Sequence, residues 1–460
     1  MNSFFSKLQR PSSSTTVLTS GLRHYERQTM EYRARIHLRV DPDGHGTLMI
    51  NANQVLHLNP TATLMAYLYL EETPPSHAIH QLTNTYRITK QQARQDYTDF
   101  SEKLAAVLHP GTCPVCSVEG LEISAPFSAR PSAPYRMDLA LTYRCNDDCA
   151  HCYNARPRDY PELPTAEWKR IIDRTWDLGI PHIVFTGGEP SLRDDLPELV
   201  AHAEANGQIT GLNTNARRLS DQRFVQTLVD AGLDHVQITV ESHDPAIHDH
   251  MVGRPGAWQQ TITGLRNVLA TRLFVMTNTT MLRDNSPYLA ETLDFLGQAG
   301  VPTIGLNALI YSGNGLTVGT GLCESELPAL LDLARQKTNH YGQRLIWYTP
   351  TQYCHFDPTQ LELGVKGCTA ALYNMCVEPD GAVLPCQSYY QPLGNLLSDP
   401  WSTIWEHPLA IHLRERKYID PECETCLLLP ECGGGCPLAQ EAQQQQIVTI
   451  DRIAVLSPGF

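Results

Sequence analysis

Three closely spaced cysteines constrain this chain more than any other feature. Cys145, Cys149 and Cys152 form a C-x3-C-x2-C pattern, and Tyr153 follows them. Three thiolates on one short loop can ligate three irons of a [4Fe–4S] cube and leave the fourth iron without a protein ligand. An open iron can bind a substrate or cofactor, whereas a cube with four cysteine ligands only carries electrons. A zinc knuckle or a disulfide cluster is the alternative for this spacing.

The composition bounds the kind of protein. The chain has 460 residues, of which 42% are hydrophobic, as expected for a globular protein. A net charge of −14 disfavours nucleic-acid binding, because phosphate contacts require a positive surface. We find no apolar run that resembles a signal peptide or a membrane span, so we expect a cytoplasmic protein with no membrane partner. Fourteen cysteines in such a chain indicate metal ligands rather than disulfides.

The first part of the chain contains no cysteine and predicts a separate module. Residues 1–28 are rich in Ser and Thr and predict a mobile tail. Residues 29–110 contain three strand patterns and then three helix patterns, which together predict a winged helix. A winged helix can read DNA, but residues 31–109 carry seven Lys and Arg against eight Asp and Glu. This nearly neutral net charge does not suit the binding of DNA phosphates and favours peptide recognition.

The middle of the chain alternates strands and helices. Residues 111–134 form a linker, in which Cys113 and Cys116 have no obvious second pair and are given no role. Residues 135–341 contain six strand patterns separated by helix-length segments. They predict an α/β fold, a partial (β/α)6 TIM-like barrel with its chemistry on the loops after the strands. Residues 342–460 contain eight cysteines with many Pro and Gly, and predict an irregular iron–sulfur domain.

A second motif lies one strand–helix unit after the cysteine loop. It reads Thr186, Gly187, Gly188, Glu189, Pro190 at the end of a predicted strand. The two motifs in this order resemble the radical S-adenosylmethionine (SAM) enzymes. The resemblance implies that a [4Fe–4S] cluster on the three cysteines chelates SAM and reduces it to a 5′-deoxyadenosyl radical. It also implies that the Gly-Gly-Glu-Pro segment holds the amino group of SAM.

Further SAM contacts are implied by the ends of later strands. Thr214 and Asn215 stand where the family has T-N-G, and Thr239 and Glu241 stand where it more often has S-L-D. The departures leave their individual roles open, and ordinary polar residues at strand ends are the alternative. Arg254 lies in a Gly-Arg-Pro-Gly turn and is a candidate for the SAM carboxylate, or else a solvated loop arginine.

The C-terminal cysteines resemble SPASM, the cluster-binding extension of peptide-modifying radical SAM enzymes. Six of the seven SPASM positions are present, and no cysteine follows Cys436 to supply the seventh. In the family, that last cysteine completes the cluster of a C-x2-C-x5-C trio, while the early pair and the counterpart of Cys436 serve the other cluster. The six matching positions are Cys368, Cys386, Cys423, Cys426, Cys432 and Cys436.

The resemblance implies two auxiliary [4Fe–4S] clusters, with the ligand partition left open. Cys354 and Cys376 are extra candidates, and eight cysteines would suffice for two closed clusters. Alternatively, the trio forms an open site or takes an oxygen ligand such as Asp451. A zinc ribbon is the other interpretation of the last four cysteines. Cys323 is expected to be a plain core or loop thiol.

The winged-helix module resembles the PqqD-like peptide chaperone of pyrroloquinoline quinone biosynthesis, which binds a leader peptide as an added strand. The three resemblances imply a maturase of a ribosomally made precursor peptide that forms a C–S or C–C bond and takes electrons from flavodoxin or ferredoxin. A folded protein, as in sulfatase maturases, or a haem precursor is the alternative substrate. An iron–sulfur sensor is the non-enzymatic alternative. No catalytic side chain, bond type or oligomeric state follows from the sequence.

Overall fold

The computed structural model describes residues 18–28, 33–51, 54–108, 130–154 and 156–445. The Cys113–Cys116 pair, most of the predicted linker and Asp451 lie outside these residues. The chain divides into two compact units, Met1–Ser132 with Thr175–Pro181 and Ala133–Arg174 with His182–Phe460. No helix in the described part of the chain is long and apolar enough to cross a membrane.

The first unit contains a four-stranded antiparallel sheet followed by three helices. The strands run in the order β1 (Gly21–Gln28), β2 (Arg33–Val40), β3 (Gly46–Ile50) and β4 (Gln54–Leu58). The helices are α1 (Pro60–Leu70), α2 (Pro75–Thr85) and α3 (Lys90–Leu108). These elements contain the three strands and three helices that the sequence predicts.

Local chemistry explains where the first helix begins. The side chain of Asn59 accepts a hydrogen bond from Ala62 N at 2.9 Å, and Pro60 occupies the first helical position. Helix α1 is buried almost all round, and its Met65 and Leu68 pack with Ile36 and Leu38 of β2. Burial of this apolar face, rather than helix propensity alone, stabilises the module.

Strand β1 differs from the prediction. The sequence predicts a mobile tail over residues 1–28, but residues 21–28 form a strand. They pair with β2 along their whole length, from Gly21 opposite Val40 to Gln28 opposite Arg33. The strand is mostly polar, so no apolar alternation marks it, and its pairing depends on main-chain hydrogen bonds to β2. The Tyr25 hydroxyl adds a hydrogen bond to Glu71 at 2.7 Å.

The second unit is built on one ten-stranded sheet. Its order is β11-β10-β9-β8-β7-β6-β5-β12-β13-β14, and the neighbours from β5 to β11 and the β5–β12 pair are parallel. The α/β fold is confirmed, with all six predicted barrel strands adjacent in sequence order. The ten strands of the sheet are β5 (Arg136–Thr142), β6 (His182–Gly187), β7 (Ile209–Thr214), β8 (His235–Thr239), β9 (Phe274–Thr280), β10 (Thr303–Asn307), β11 (Arg344–Trp347), β12 (Asn374–Val377), β13 (Ala382–Leu384) and β14 (Gly394–Asn395). The first six of them are the predicted barrel strands.

Helices connect the parallel strands and cover the sheet. Strands β5 and β6 are almost fully buried, as expected for parallel strands that are covered on both faces. The connecting helices are α4 (Thr165–Asp177), α5 (Leu196–Asn206), α6 (Gln222–Asp230), α7 (Pro245–Val252), α8 (Ala257–Leu269), α9 (Leu289–Gln298) and α10 (Leu327–His340). Further along lie α11 (Trp401–Trp405), α12 (Pro408–Arg414), α13 (Leu429–Cys432) and α14 (Pro437–Gln444).

The predicted boundary between residues 341 and 342 does not divide the sheet. Strand β11 follows that boundary and still pairs in parallel with β10. Strand β12 returns to the opposite side of the barrel sheet, where Cys376 lies opposite Asp138 of β5. The C-terminal region therefore extends the barrel sheet at β5.

Candidate active site

A cavity of about 430 Å³ lies in the second unit. Because the carboxyl ends of parallel strands meet at one edge, side chains from several strands converge there. The structure brings most of the predicted site residues to its wall. Those residues are Cys145, Cys149, Cys152, Gly187, Gly188, Glu189, Thr214, Asn215, Thr239, Glu241, Cys368, Cys386 and Cys436.

The three-cysteine loop is held by two other segments of the barrel. The main-chain N of Asp148 donates to Val252 O at 2.8 Å, and that of Ala150 donates to Met251 O at 3.1 Å. On the other side, Asn314 N donates to Cys152 O at 2.8 Å. The loop is therefore positioned by the end of α7 and by the segment after β10, which is the rigid support that a metal site needs.

The three cysteines fit an iron–sulfur cluster in chemistry as well as in spacing. Burial raises the pKa of Cys145 to about 11, and burial also raises the pKa of Cys149 and of Cys152. Metal-free thiols of this kind stay protonated at neutral pH, so they need a cation to be held as thiolates. Soft thiolates are the ligands that iron–sulfur clusters select.

The two glycines at the end of β6, Gly187 and Gly188, contact the backbone at the start of the cysteine loop. A Cβ on Gly187 would lie 2.1 Å from Thr142 O, and one on Gly188 would lie 2.3 Å from Arg144 O. Gly188 N donates to Thr142 O at 2.7 Å, and Glu189 N donates to Arg144 O at 2.8 Å. The glycines thus permit a close backbone approach to the start of the loop, in addition to lining the cavity.

Glu189 is a buried carboxylate that organises the end of β7. It accepts hydrogen bonds from the Thr214 hydroxyl at 2.7 Å, Ser191 N at 3.0 Å and Asn215 N at 2.8 Å. Burial raises its pKa, although these hydrogen bonds act in the opposite direction. A carboxylate has about four acceptor positions. Three are used internally, which leaves about one for the ammonium group predicted from the sequence.

Glu241 is a second buried carboxylate, and it contacts the cysteine loop. His151 Nε2 lies 3.0 Å from its Oε1, and Thr280 N donates to its Oε2 at 2.9 Å. Burial alone would lower the pKa of His151, but the Glu241 carboxylate outweighs it and raises that pKa. His248 Nδ1 accepts from Glu241 N at 3.2 Å, consistent with a neutral ring whose pKa is lowered by burial.

Sequence reasoning missed His151 and His248. His151 stands inside the cysteine motif, which is the signal available for it, whereas nothing in the sequence marks His248.

Arg254 is exposed and does not line the cavity; its main-chain N donates to Asp249 O at 3.0 Å. Arg158 lines the cavity instead and donates to Asp147 O at 3.1 Å. Pro190 is buried behind Glu189 and does not line the cavity.

The C-terminal cysteines separate into two groups. Cys368, Cys386 and Cys436 line the cavity that also contains the three-cysteine loop. Burial raises the pKa of Cys368, and the nearby Cys436 and Cys386 thiols add to this shift. Cys423, Cys426 and Cys432 do not line the cavity.

The grouping disfavours a zinc ribbon built from the last four cysteines, because Cys436 lies with the cavity group. Within the described ranges, no group of three or more His, Cys, Asp or Glu side chains is arranged to hold a single metal ion.

Cys376 is fully buried with Ala140 and Leu384 and does not line the cavity. Cys323 is half-buried and accepts from Arg283 Nη2 at 3.8 Å, as expected for a plain thiol.

A parallel α/β barrel sheet with an open three-cysteine loop at its strand ends defines an iron–sulfur enzyme that activates a bound cofactor. The radical SAM superfamily profile matches residues 139–306, and the SPASM iron–sulfur cluster-binding domain matches residues 368–427. The chain belongs to the radical SAM superfamily and carries a SPASM domain. Its cofactors are accordingly SAM and [4Fe–4S] clusters, and the residues described above fit them.

Several curated relatives align with most of their length. PqqA peptide cyclase of Xanthomonas campestris pv. campestris is 29% identical over 337 residues, covering 71% of this chain and 88% of that protein. PqqA peptide cyclase of Streptomyces rochei is 30% identical over 314 residues, covering 66% and 84%. AdoMet-dependent heme synthase of Oleidesulfovibrio alaskensis is 26% identical over 321 residues, covering 64% and 80%.

The fold is also that of a solved structure. Streptococcus suis SuiB bound to precursor peptide SuiA superposes with a TM-score of 0.66 at 16% identity. The match covers 94% of this chain and 99% of that one. At this identity the likeness establishes the shared fold.

Proposed function

We propose that this enzyme is a maturase that modifies a ribosomally made precursor peptide. One observation carries the proposal: a single cavity contains both the SAM-cluster cysteines and three auxiliary cysteines. A substrate in that cavity would lie near both the SAM-cluster site and an electron acceptor held by the auxiliary cysteines. The names of the PqqA peptide cyclases and the peptide-bound state of SuiB support a peptide as the substrate.

When bound, the cluster and SAM supply a 5′-deoxyadenosyl radical that takes one hydrogen atom from the substrate. Forming a C–C or C–S bond then releases one proton and one electron from the peptide. Cys368, Cys386 and Cys436 would hold the auxiliary cluster that would accept this electron. Flavodoxin or ferredoxin in the cytoplasm would supply the electron that starts each cycle.

Glu324 is the cavity carboxylate that we assign to the released proton. Asp147 pairs with Arg217 at 2.7 Å, and the hydrogen bonds of Glu189 and Glu241 bind neighbouring loops. Glu324 pairs with His355 at 2.7 Å, lines the cavity, and is near enough to Cys436 to add to the raised pKa of that thiol. Glu324→Gln should retain SAM cleavage and lose peptide modification. Glu326→Gln, beside it and paired with Arg283 at 2.8 Å, is the matched control.

The first unit is proposed to be a PqqD-like module that binds the leader segment. Its sheet has two edges, β1 and β4, and a peptide can add to such an edge as a further strand. Val55 on β4 is a large apolar residue that is 36% exposed, which favours this edge. Val55→Asp should weaken leader binding and leave SAM cleavage intact. Phe274→Asp, on an exposed apolar residue of the second unit, should leave leader binding intact.

The decisive experiment is anaerobic co-expression with the short peptide encoded beside the gene, followed by mass measurement. A loss of two hydrogens indicates a cross-link, an unchanged mass with altered stereochemistry indicates epimerisation, and a larger loss indicates a lyase. The control replaces Cys145, Cys149 and Cys152 with Ala and should give unmodified peptide without 5′-deoxyadenosine. A peptide that stays unmodified with the active enzyme would contradict the proposal.

A haem precursor is the second candidate, favoured by the similarity to AdoMet-dependent heme synthase. The Val55→Asp variant separates the two functions. A porphyrin substrate does not need the sheet edge, so its conversion would be unaffected. A peptide substrate would lose most of its conversion at low concentration, because docking raises its effective concentration near the cavity.

A further inference from the structure

Residues 437–460, where the family usually supplies a fourth cysteine for the SPASM trio, contain no cysteine. Cys423, Cys426 and Cys432 are present, but no cysteine follows Cys436. Three thiolates alone would leave one iron without a protein ligand. Cys426 is exposed, so such an iron would be close to solvent. The segment that packs against the trio therefore determines whether this cluster is closed.

An upstream segment, Thr351–Cys354, packs against the trio. Tyr353 N donates a hydrogen bond to Cys432 Sγ at 3.3 Å, and Cys432 Sγ lies 3.9 Å from Thr351 O. A Cβ on Gly435 would lie 3.0 Å from Gln352 Cγ and 3.2 Å from Gln352 N. Gly435 thus permits a close approach of this segment, and Cys354 is the last residue of the segment.

Both neighbours of Cys354 in the chain are anchored. Tyr353 is 6% exposed, and its hydroxyl accepts from Lys366 N at 3.0 Å. His355 is also buried and contacts Glu324 at 2.7 Å. Between these anchors, Cys354 directly follows Tyr353, whose main-chain N contacts Cys432 Sγ at 3.3 Å, which places Cys354 next to the trio.

We propose that Cys354 is the fourth thiolate of the auxiliary cluster held by Cys423, Cys426 and Cys432, in place of the missing downstream cysteine. The other extra cysteines do not fit this role. Cys376 is fully buried in the sheet between Ala140 and Leu384, and Cys323 lies beside Arg283. The consequence is that the trio's cluster is closed. The cavity group of Cys368, Cys386 and Cys436 is then the one left with three cysteines among the described residues.

The test uses the full chain with Cys145, Cys149 and Cys152 replaced by Ala, so that all remaining iron is auxiliary. This background should hold about eight irons, from two [4Fe–4S] clusters. Adding Cys354→Ala should reduce the content toward about four irons and remove one species from the Mössbauer spectrum. Cys354→Ser should keep the iron but shift the paramagnetic resonance of that species, because an oxygen replaces one sulfur. Cys323→Ala is the matched control and should change neither measurement.

Full iron with an unchanged spectrum in Cys354→Ala would overturn the proposal. So would loss of the same species in Cys376→Ala or Asp451→Ala while Cys354→Ala retains it. Iron counting does not depend on the substrate, so a failed peptide assay and a failed ligand assignment remain distinguishable. SAM cleavage by Cys354→Ala in the otherwise native chain reports whether the protein still folds around its first cluster.

Discussion

His151 and Glu241 join the cysteine loop to the end of β8, with Nε2 3.0 Å from Oε1. The other carboxylate oxygen of Glu241 accepts from Thr280 N, so one side chain ties together the cysteine loop and two strand ends. The sequence predicts Glu241 as a SAM contact, and the structure shows that its carboxylate holds the cysteine loop. Side chains that hold metal-binding loops in place affect metal affinity even when they bind no metal.

The first prediction concerns this pair. His151→Ala should lower cluster retention and SAM cleavage by about 10–100-fold, the range seen when a group supporting a metal ligand is removed. Glu241→Gln retains the shape of the side chain and should have a smaller effect. Iron content and 5′-deoxyadenosine formation are the measurements. His151→Ala with native iron content and native turnover would show that the loop needs no such support.

The second prediction compares two glycines in one turn. Both have left-handed backbone, Gly253 with φ +66° and Gly256 with φ +79°. A Cβ on Gly253 would lie 2.4 Å from Asp148 O in the cysteine loop, whereas one on Gly256 meets nothing within 4 Å. Gly253→Ala should therefore displace the loop and lower iron content, whereas Gly256→Ala should cost only about 1 kcal/mol of backbone strain. Equal iron content in the two variants would contradict this assignment.

The third prediction concerns a buried ion pair between the cysteine loop region and β12. Arg156 Nε and Nη2 donate to the fully buried carboxylate of Glu378 at 2.7 and 2.9 Å, and the guanidinium lies over the rings of Tyr160 and Tyr390. Arg156→Met leaves that carboxylate without its cation and should cost about 3 kcal/mol. The midpoint of thermal unfolding should fall by roughly 3 °C, because the unfolding entropy of a 460-residue chain is large.

The double variant Arg156→Met with Glu378→Gln tests the origin of that loss. It should be more stable than Arg156→Met alone, because the uncompensated buried charge has been removed. Additive losses from the two substitutions would mean that the residues do not act as a pair.

The fourth prediction concerns pH and His235, the partly buried first residue of β8. Its ring Nε2 lies 2.8 Å from Nε2 of His182, and burial lowers its pKa from 6.5 to about 4. Between pH 6.5 and 4, His235 binds a proton in the unfolded chain but not in the folded chain. The free energy of unfolding therefore falls as the pH is lowered through this window. The loss approaches about 3 kcal/mol at pH 4 and does not grow below it.

His235→Gln should flatten this part of the curve of unfolding midpoint against pH. His340→Gln, at an exposed position, should leave the curve unchanged. A wild-type midpoint that is constant from pH 6.5 to 4.5 relative to His235→Gln would contradict the assignment.

Much of the architecture was predictable because it is encoded locally. The strand and helix patterns of both units depend on residues that are close together in the chain, such as the cap formed by Asn59 and Pro60. The same holds for the three-cysteine loop and the Gly187–Glu189 segment, which carry their chemistry within a few residues. Strand β1 was missed because its polar sequence gives no period, and strand β11 because it follows a change in composition.

The sequence alone determined which side chains can bind iron and that Gly187, Gly188 and Glu189 belong to the same site as the three cysteines. Only the tertiary structure decided how the later cysteines divide, which arginine reaches the cavity, and what Glu189 and Glu241 contact. Tyr353 and Cys432 are far apart in the chain, yet Tyr353 N contacts Cys432 Sγ because the segment before Cys354 packs on Cys432 and Gly435. Ligand type is a property of a residue, whereas ligand grouping depends on packing between distant segments, and no local pattern records it.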